Sequence, residues 1–190
     1  MKVLHIDSSI LGDGSASRAL TREIVASLKV AHPDAEVSYL DLAAEALPHL
    51  SLGKPDTLEA ARNAAALEQF LGADVLVIGA PIYNFSIPSQ LKAWIDRISV
   101  AGRTFRYTPN GPEGLAGGKE VIVALARGGV SRAGDGGEFG ESYLKFLFGF
   151  LGITDVRFVR AEGLAISPQH REASLDAARA AIATVHSLAA

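Results

Sequence analysis

Hydrophobic and polar residues follow two rhythms along this chain. Four short stretches are apolar-rich and strand-sized: Lys2–Asp7 (KVLHID), Val75–Ile78 (VLVI), Glu120–Ala126 (EVIVALA) and Asp155–Ala161 (DVRFVRA). Runs of this length suit strands covered on both faces of a parallel sheet. Glu36–Leu42 (EVSYLDL) alternates and also reads as a strand. Elsewhere the apolar positions fall at helical spacing. Leu20, Ile24 and Leu28 mark one side of a helix starting near Ser17, and Leu91, Trp94, Ile95 and Ile98 repeat at i, i+3, i+4 and i+7. Thr57–Leu71 is rich in alanine and other strong helix formers. Further helices are expected around Ser142–Leu151 and over Gln169–Leu188.

Strands alternating with helices, five of each, argue for an α/β fold built on a doubly wound five-stranded parallel sheet. No internal repeat, low-complexity tract or linker interrupts it, so residues 1–190 read as a single domain, flavodoxin-like in its simplest topology. Pro48–Pro55 reads as loop, and Gly134–Gly140 as a glycine-rich loop. Thr104–Thr108 followed by Pro109-Asn110-Gly111-Pro112 predicts a short β excursion near 104–114, around an Asn-Gly turn and standing off the main sheet. In open α/β sheets ligands bind beyond the carboxyl ends of the strands. The loops after Asp7, Ile78 and Ala126 are therefore the places to look for chemistry.

Composition narrows that chemistry. At 48% hydrophobic and 21% charged, the chain has material for a full core. No run approaches the roughly 18 apolar residues of a membrane span. Met1–Asp7 is too brief for a signal peptide, so a cytoplasmic location without membrane association is expected. A net charge of −3 with no basic block offers nucleic acid no footprint. Cysteine is absent, which removes disulfides, thiolate catalysis and Cys-ligated metals. The five histidines (His5, His32, His49, His170, His186) form no H-E-x-x-H pattern, and no metal site is expected. Any redox chemistry would rest on a bound organic cofactor.

The first loop carries Ser8, Ser9, Ser15 and Ser17 ahead of a helix. A helix start offers unpaired N–H groups and partial positive charge, which favour a phosphate, and serine hydroxyls add donors. Ser15 or Ser17 as a plain helix cap is the competing reading; Arg18 is expected to face solvent. Neither G-x-x-x-x-G-K-[ST] nor G-x-G-x-x-G is present, which disfavours a nucleoside triphosphate or a Rossmann dinucleotide; the monophosphate of FMN requires neither. The second loop, Pro81-Ile82-Tyr83-Asn84-Phe85, supplies aromatic surface and an amide that both donates and accepts, matching the edge of a flavin ring. Alternatively, Tyr83 and Phe85 plug the core and Asn84 forms a turn. In the third, Ala126-Arg127-Gly128-Gly129, the glycines let backbone approach a flat ligand and aim N–H groups at it.

These blocks resemble the bacterial FMN-dependent NADH:quinone oxidoreductase/azoreductase family. The likeness runs nearly end to end: VLHIDSSILGDGSAS, APIYNFSIPSQLKAWIDRI, TFRYTPNGPEGLAGGK, ALARGG and FGFLGITDVRFVRAEG. It implies that Ser9, Ser15, Ala16 and Ser17 hold the FMN phosphate. Pro81, Ile82, Tyr83, Asn84 and Phe85 would line the isoalloxazine, with Ala126, Arg127, Gly128 and Gly129 bounding its other side. Tyr107 and Phe150 resemble the family's aromatic residues near the substrate face, in a pocket built from both subunits of a homodimer. Two positions depart from the family: Ile82 replaces a common Met, and Ala126 a common Ser, removing a hydroxyl that bears on flavin affinity or potential.

The implied activity is a ping-pong two-electron transfer of hydride from NADH through tightly bound FMN to quinones or azo compounds, with Tyr107 a candidate proton donor. One rival is a flavodoxin-like electron carrier without turnover of its own; carriers are usually strongly acidic, which −3 is not. Another is an acyl-carrier-protein phosphodiesterase-type hydrolase, disfavoured by the missing G-x-S-x-G elbow and metal cluster.

Overall fold

The computed structural model describes residues 1–51, 56–131 and 139–185. Its elements run β1 Lys2–Asp7, α1 Ala16–Ala31, β2 Glu36–Asp41, α2 Thr57–Gly72, β3 Val75–Pro81, α3 Ser89–Ile98, β4 Phe105–Thr108, β5 Gly111–Gly114, β6 Glu120–Ala126, α4 Gly140–Phe150, β7 Asp155–Ala161 and α5 Pro168–Val185. Five strands form one parallel sheet in the order β2-β1-β3-β6-β7. This is the expected flavodoxin-like winding. β3 lies at its centre and is buried at every residue, as its unbroken apolar run requires. Part of the predicted Pro48–Pro55 loop, the glycine-rich stretch 134–138, and the predicted helix end with His186 fall outside the described residues.

Each face of the sheet carries its own core. On one, Leu20, Ile24 and Leu28 of α1 and Ala178 and Ile182 of α5 pack on Val3, Val77, Ile122 and Ala124. On the other, Phe70 of α2, Trp94 and Ile95 of α3, and Leu144 and Phe148 of α4 cover Leu4, Ile6, Leu76, Ile78 and Val123. Phe70 and Trp94 meet edge to face at 6.1 Å. Burying side chains of this size contributes about 1.5–3 kcal/mol each, and the helical spacing of Leu20, Ile24 and Leu28 and of Trp94 and Ile95 is what the sequence pattern displayed. β2 departs from that pattern. As an edge strand it leaves Val37 and Tyr39 exposed despite their alternation.

The β excursion is a separate antiparallel pair, β4 with β5. Its turn is shifted by one residue from the expected Asn-Gly centre. Thr108 pairs with Gly111, so Pro109 and Asn110 occupy the middle and Gly111 follows at φ +110°. Proline second and glycine last is the residue order of a type I turn. The pair is seated against the corner after α4: Ala116 N–H donates to Leu151 O at 2.9 Å, and a Cβ on Gly114 would lie 2.1 Å from Gly152 N. Backbone meets backbone there, with no side chain able to yield. Gly114→Ala should therefore cost about 1–3 kcal/mol, as overpacking does, read as a lower urea midpoint. An unchanged midpoint would show that the excursion does not need this seat.

Candidate functional site

The carboxyl ends of β1, β3, β6 and β7 share one rim, and a cavity of about 210 Å3 opens there. Ser9, Ser15, Ala16 and Ser17 line one end, with Pro81, Ile82, Tyr83, Ala126, Arg127 and Gly128 along the walls. It adjoins a second chamber of about 430 Å3 bounded by Asn84, Phe85, Gly129 and Val130, the two sharing Ile82, Arg127 and Gly128. Together they fall within the size range of small-molecule sites. A trough of about 470 Å3 on the opposite, amino-terminal edge, around Lys2, Glu36 and Glu68, gathers no comparable set of converging donors.

At the α1 start both readings of the serines hold. Ser15 is the N-cap, its Oγ accepting from Arg18 N–H at 3.3 Å, and it pairs with Ser17 Oγ at 3.1 Å. Whichever hydroxyl donates in that pair, the other keeps its proton for an incoming acceptor. The unpaired amides of the first helical turn add further donors. Ser8 points elsewhere, bonding Gly79 O at 2.6 Å and tying the first loop to β3. Ser9 Oγ meets the Tyr83 hydroxyl at 3.1 Å, joining the first loop to the second.

The second loop is a two-residue turn: Tyr83 and Ser86 exchange backbone hydrogen bonds around Asn84 and Phe85. Both central residues have positive φ, +48° and +71°. Asparagine tolerates this; phenylalanine does so only at a cost of about 1–2 kcal/mol. Phe85 is also 69% exposed, so it is not a core plug. It borders the larger chamber from a strained backbone position.

A fourth loop completes the rim. The carbonyls of Arg127, Gly128 and Gly129 accept from the amides of Leu164, Ala165 and Gly163 at 2.7–3.1 Å. Peptides here are trans, so each N–H points opposite to the preceding carbonyl. The amides of Gly128, Gly129 and Val130 are thereby turned away from the β7 side, a row of donors suited to negative charge. Leu164, Ala165 and Arg171 of this fourth loop and α5 line the smaller cavity and went unnoticed in the sequence. Periodicity carries no trace of them; only the equal height of β6 and β7 at the rim brings them in.

Arg18 does not face solvent as expected. It is 9% exposed. Its guanidinium forks onto both Asp41 oxygens at 2.7 Å and donates to Ser9 O at 2.8 and 3.2 Å. Tyr39 accepts from Arg18 and donates to Asp7 Oδ2 at 3.1 Å; Thr21 reaches Asp7 Oδ1 at 2.9 Å, and His5 Nε2 lies 3.4 Å from Oδ2. The network pins the first loop to α1, β1 and β2. Burial works to raise the Asp7 pKa, but hydrogen bonding and charge from His5, with Thr21 and Tyr39, hold it below its ordinary 3.8. Arg18 does the same to Asp41. Burial and the neighbouring carboxylates push the Tyr39 phenol up to about 12. Arg127 is paired with Glu162 at 3.1 Å.

Tyr107 and Phe150 are not brought to this cavity. They meet around Phe105, at 5.5 and 4.6 Å between ring centroids, and Phe150 closes α4 at the end remote from the rim, where Gly140 approaches Ile82. Among the described residues, no cluster of three or more His, Cys, Asp or Glu could hold a metal, and no helix is long and apolar enough to cross a membrane.

A parallel sheet in this order, with a serine-lined helix start at its carboxyl rim, defines a flavodoxin-like protein. The chain belongs to the family of flavodoxin-like fold, whose model matches residues 1–185. It is 58% identical over 206 aligned positions to the FMN-dependent NADH:quinone oxidoreductase of Polaromonas naphthalenivorans, with 99% of this chain and 95% of that one covered. Identity to the enzyme of the same description from Xanthomonas oryzae pv. oryzae is 58% over 185 positions, covering 96% and 95%. Among solved structures it is similar to azoreductase from Bacillus anthracis, with TM-score 0.86, 34% identity and 97% and 98% coverage. An FMN-dependent NADH-azoreductase from the same species, in complex with FMN, superposes with TM-score 0.84 at 28% identity, covering 97% and 98%.

Two outcomes follow from the geometry. Asp7 and Asp41 have depressed folded-state pKa values, so the stability they add is present above the unfolded value of 3.8 and lost as pH falls through and below it. An acid titration followed by circular dichroism should show that loss, and Asp41→Asn should make it shallower; an unaltered profile would exclude the network. Phe85→Gly should relieve the turn and raise stability by about 1 kcal/mol, or roughly 2–4 °C in Tm. A lower Tm would mean that the ring contributes more than the backbone strain costs.

Proposed function

We propose that this protein is an FMN-dependent NADH:quinone oxidoreductase and azoreductase. The observation that carries the reading is the convergence of the serine-lined α1 start, the 82–85 turn and the 126–129 strand end on one pair of adjoining chambers. The residues suit FMN. Ser9, Ser15, Ala16 and Ser17 hold the phosphate with hydroxyls and first-turn amides. Pro81, Ile82, Tyr83, Asn84 and Phe85 cover one side of the flat ring system, and Ala126, Arg127, Gly128 and Gly129 the other. Ile82 and Ala126 preserve the wall by packing, although Ala126 brings no hydroxyl.

FMN held there would supply reversible two-electron chemistry between NADH and a quinone or azo compound. The chain's own part is electrostatic and steric. Amides of Gly128, Gly129 and Val130 would offer fixed dipoles to negative charge on the ring, and Phe85 borders the larger chamber. The names of the relatives above support the same donor and acceptor classes.

Tyr107 and Phe150 fit a substrate face supplied by a second copy of this chain. Tyr107 and Phe146 are each 77% exposed and Phe139 is also exposed, apolar surface that a homodimer would cover. The reading includes cytoplasmic location and no nucleic-acid or membrane partner.

Purified holoprotein should be yellow, bleach on anaerobic addition of NADH, and regain colour with benzoquinone. A flavin that fails to bleach, or that stays reduced with quinone present, sinks the proposal. Steady NADH consumption without a partner protein separates it from an electron carrier. In the same preparation, light scattering should give twice the chain's 19.9 kDa; a monomer with full activity would remove the two-subunit pocket.

A further inference from the structure

The smaller cavity is poor in uncommitted charge at the end where the phosphate of FMN would sit. A phosphomonoester carries about −1.5 to −2 at neutral pH, and serine hydroxyls and helix amides are neutral donors. Of the nearby cations, Arg18 is spent on Asp41 and Arg127 on Glu162. Arg171 is different. It lies in the first turn of α5, lines the same cavity as Ser15, Ala16 and Ser17, and has no carboxylate within 4 Å among the described residues. Its Nη2 rests on Gly14 O at 3.5 Å, a long contact that a charged acceptor would outcompete. Gly14 immediately precedes the Ser15 cap, so the guanidinium already stands across the mouth of the phosphate end.

We infer that Arg171 pairs with the FMN phosphate, closing the phosphate end from the α5 side and selecting FMN over riboflavin. The inference rests on the flavin reading above and adds to it a binding residue from an element the three sequence loops do not include. The anchoring of Arg171 is local: its backbone N–H donates to Ser167 O at 2.9 Å, so α5 presents the side chain without needing ligand to form. The planar fork suits two phosphate oxygens at once, which a lysine ammonium at the same place cannot match.

The test uses flavin-stripped full-length protein titrated with FMN and, separately, with riboflavin, following quenching of flavin fluorescence. Arg171→Gln should weaken FMN binding about tenfold or more, the usual loss for a hydrogen bond to a charged group, and leave riboflavin affinity unchanged. Arg171→Lys should recover part of the loss, and the salt dependence of FMN binding should be less steep in Arg171→Gln than in the parent protein. Equal weakening of both flavins would overturn the inference by assigning Arg171 a structural role. Unchanged FMN affinity with a raised KM for NADH would overturn it by moving the cation to the dinucleotide. If the parent protein binds neither flavin, the flavin reading itself has failed, a result distinct from either.

Discussion

Every strand of the main sheet runs the same way, and that constraint places the rest of the molecule. Parallel neighbours cannot be joined by a tight turn, so each connection must cross over a face and carry a helix or a long loop. All five carboxyl ends consequently reach one rim, where β1 and β3 stand side by side. The chain leaves β1 for α1 on one face and β3 for α3 on the other. The divergence leaves a crevice between them, and the loops that border it are the ones with serine, aromatic and glycine residues in place of core formers.

A crevice between loops is useful only if the loops hold still. Here the holding is polar and internal. Arg18 grips the Ser9 carbonyl from below while Asp41 fixes the guanidinium, Ser8 ties the same loop to Gly79, and Ser9 reaches Tyr83. On the far wall, residues 163–165 take up the carbonyls of 127–129. On both walls the backbone acceptors named here are engaged within the protein. Charge already neutralised inside the protein does not compete for a ligand, which is why Arg171 on α5, with no carboxylate partner among the described residues, matters more than the two arginines that have one.

The 83–86 turn shows the reverse economy. Its backbone geometry suits glycine at position 85, yet the chain carries phenylalanine there, exposed and at positive φ. Local preference and global use disagree at this point, as they tend to at functional sites. The Gly114–Gly152 contact is the opposite case, where the absence of a side chain lets two backbones touch and seats the β excursion.

Local pattern determined most strands and helices, through apolar runs, helical spacing at α1 and α3 and helix-forming composition at α2, because a residue's preference for a buried stripe or a two-sided strand is a local property. It also located three of the four rim loops, since serine clusters, an aromatic-amide run and paired glycines have chemical meaning wherever they occur. Tertiary structure decided the remainder. That Arg18 turns inward depends on Asp41 arriving from β2, and that Arg171 reaches the cavity depends on α5 lying beside α1. Tyr107 and Phe150, grouped around Phe105, lie away from the rim within their own chain. Each of these facts joins residues tens to more than a hundred positions apart, and no short stretch of sequence records which distant partner a charged or aromatic side chain will meet.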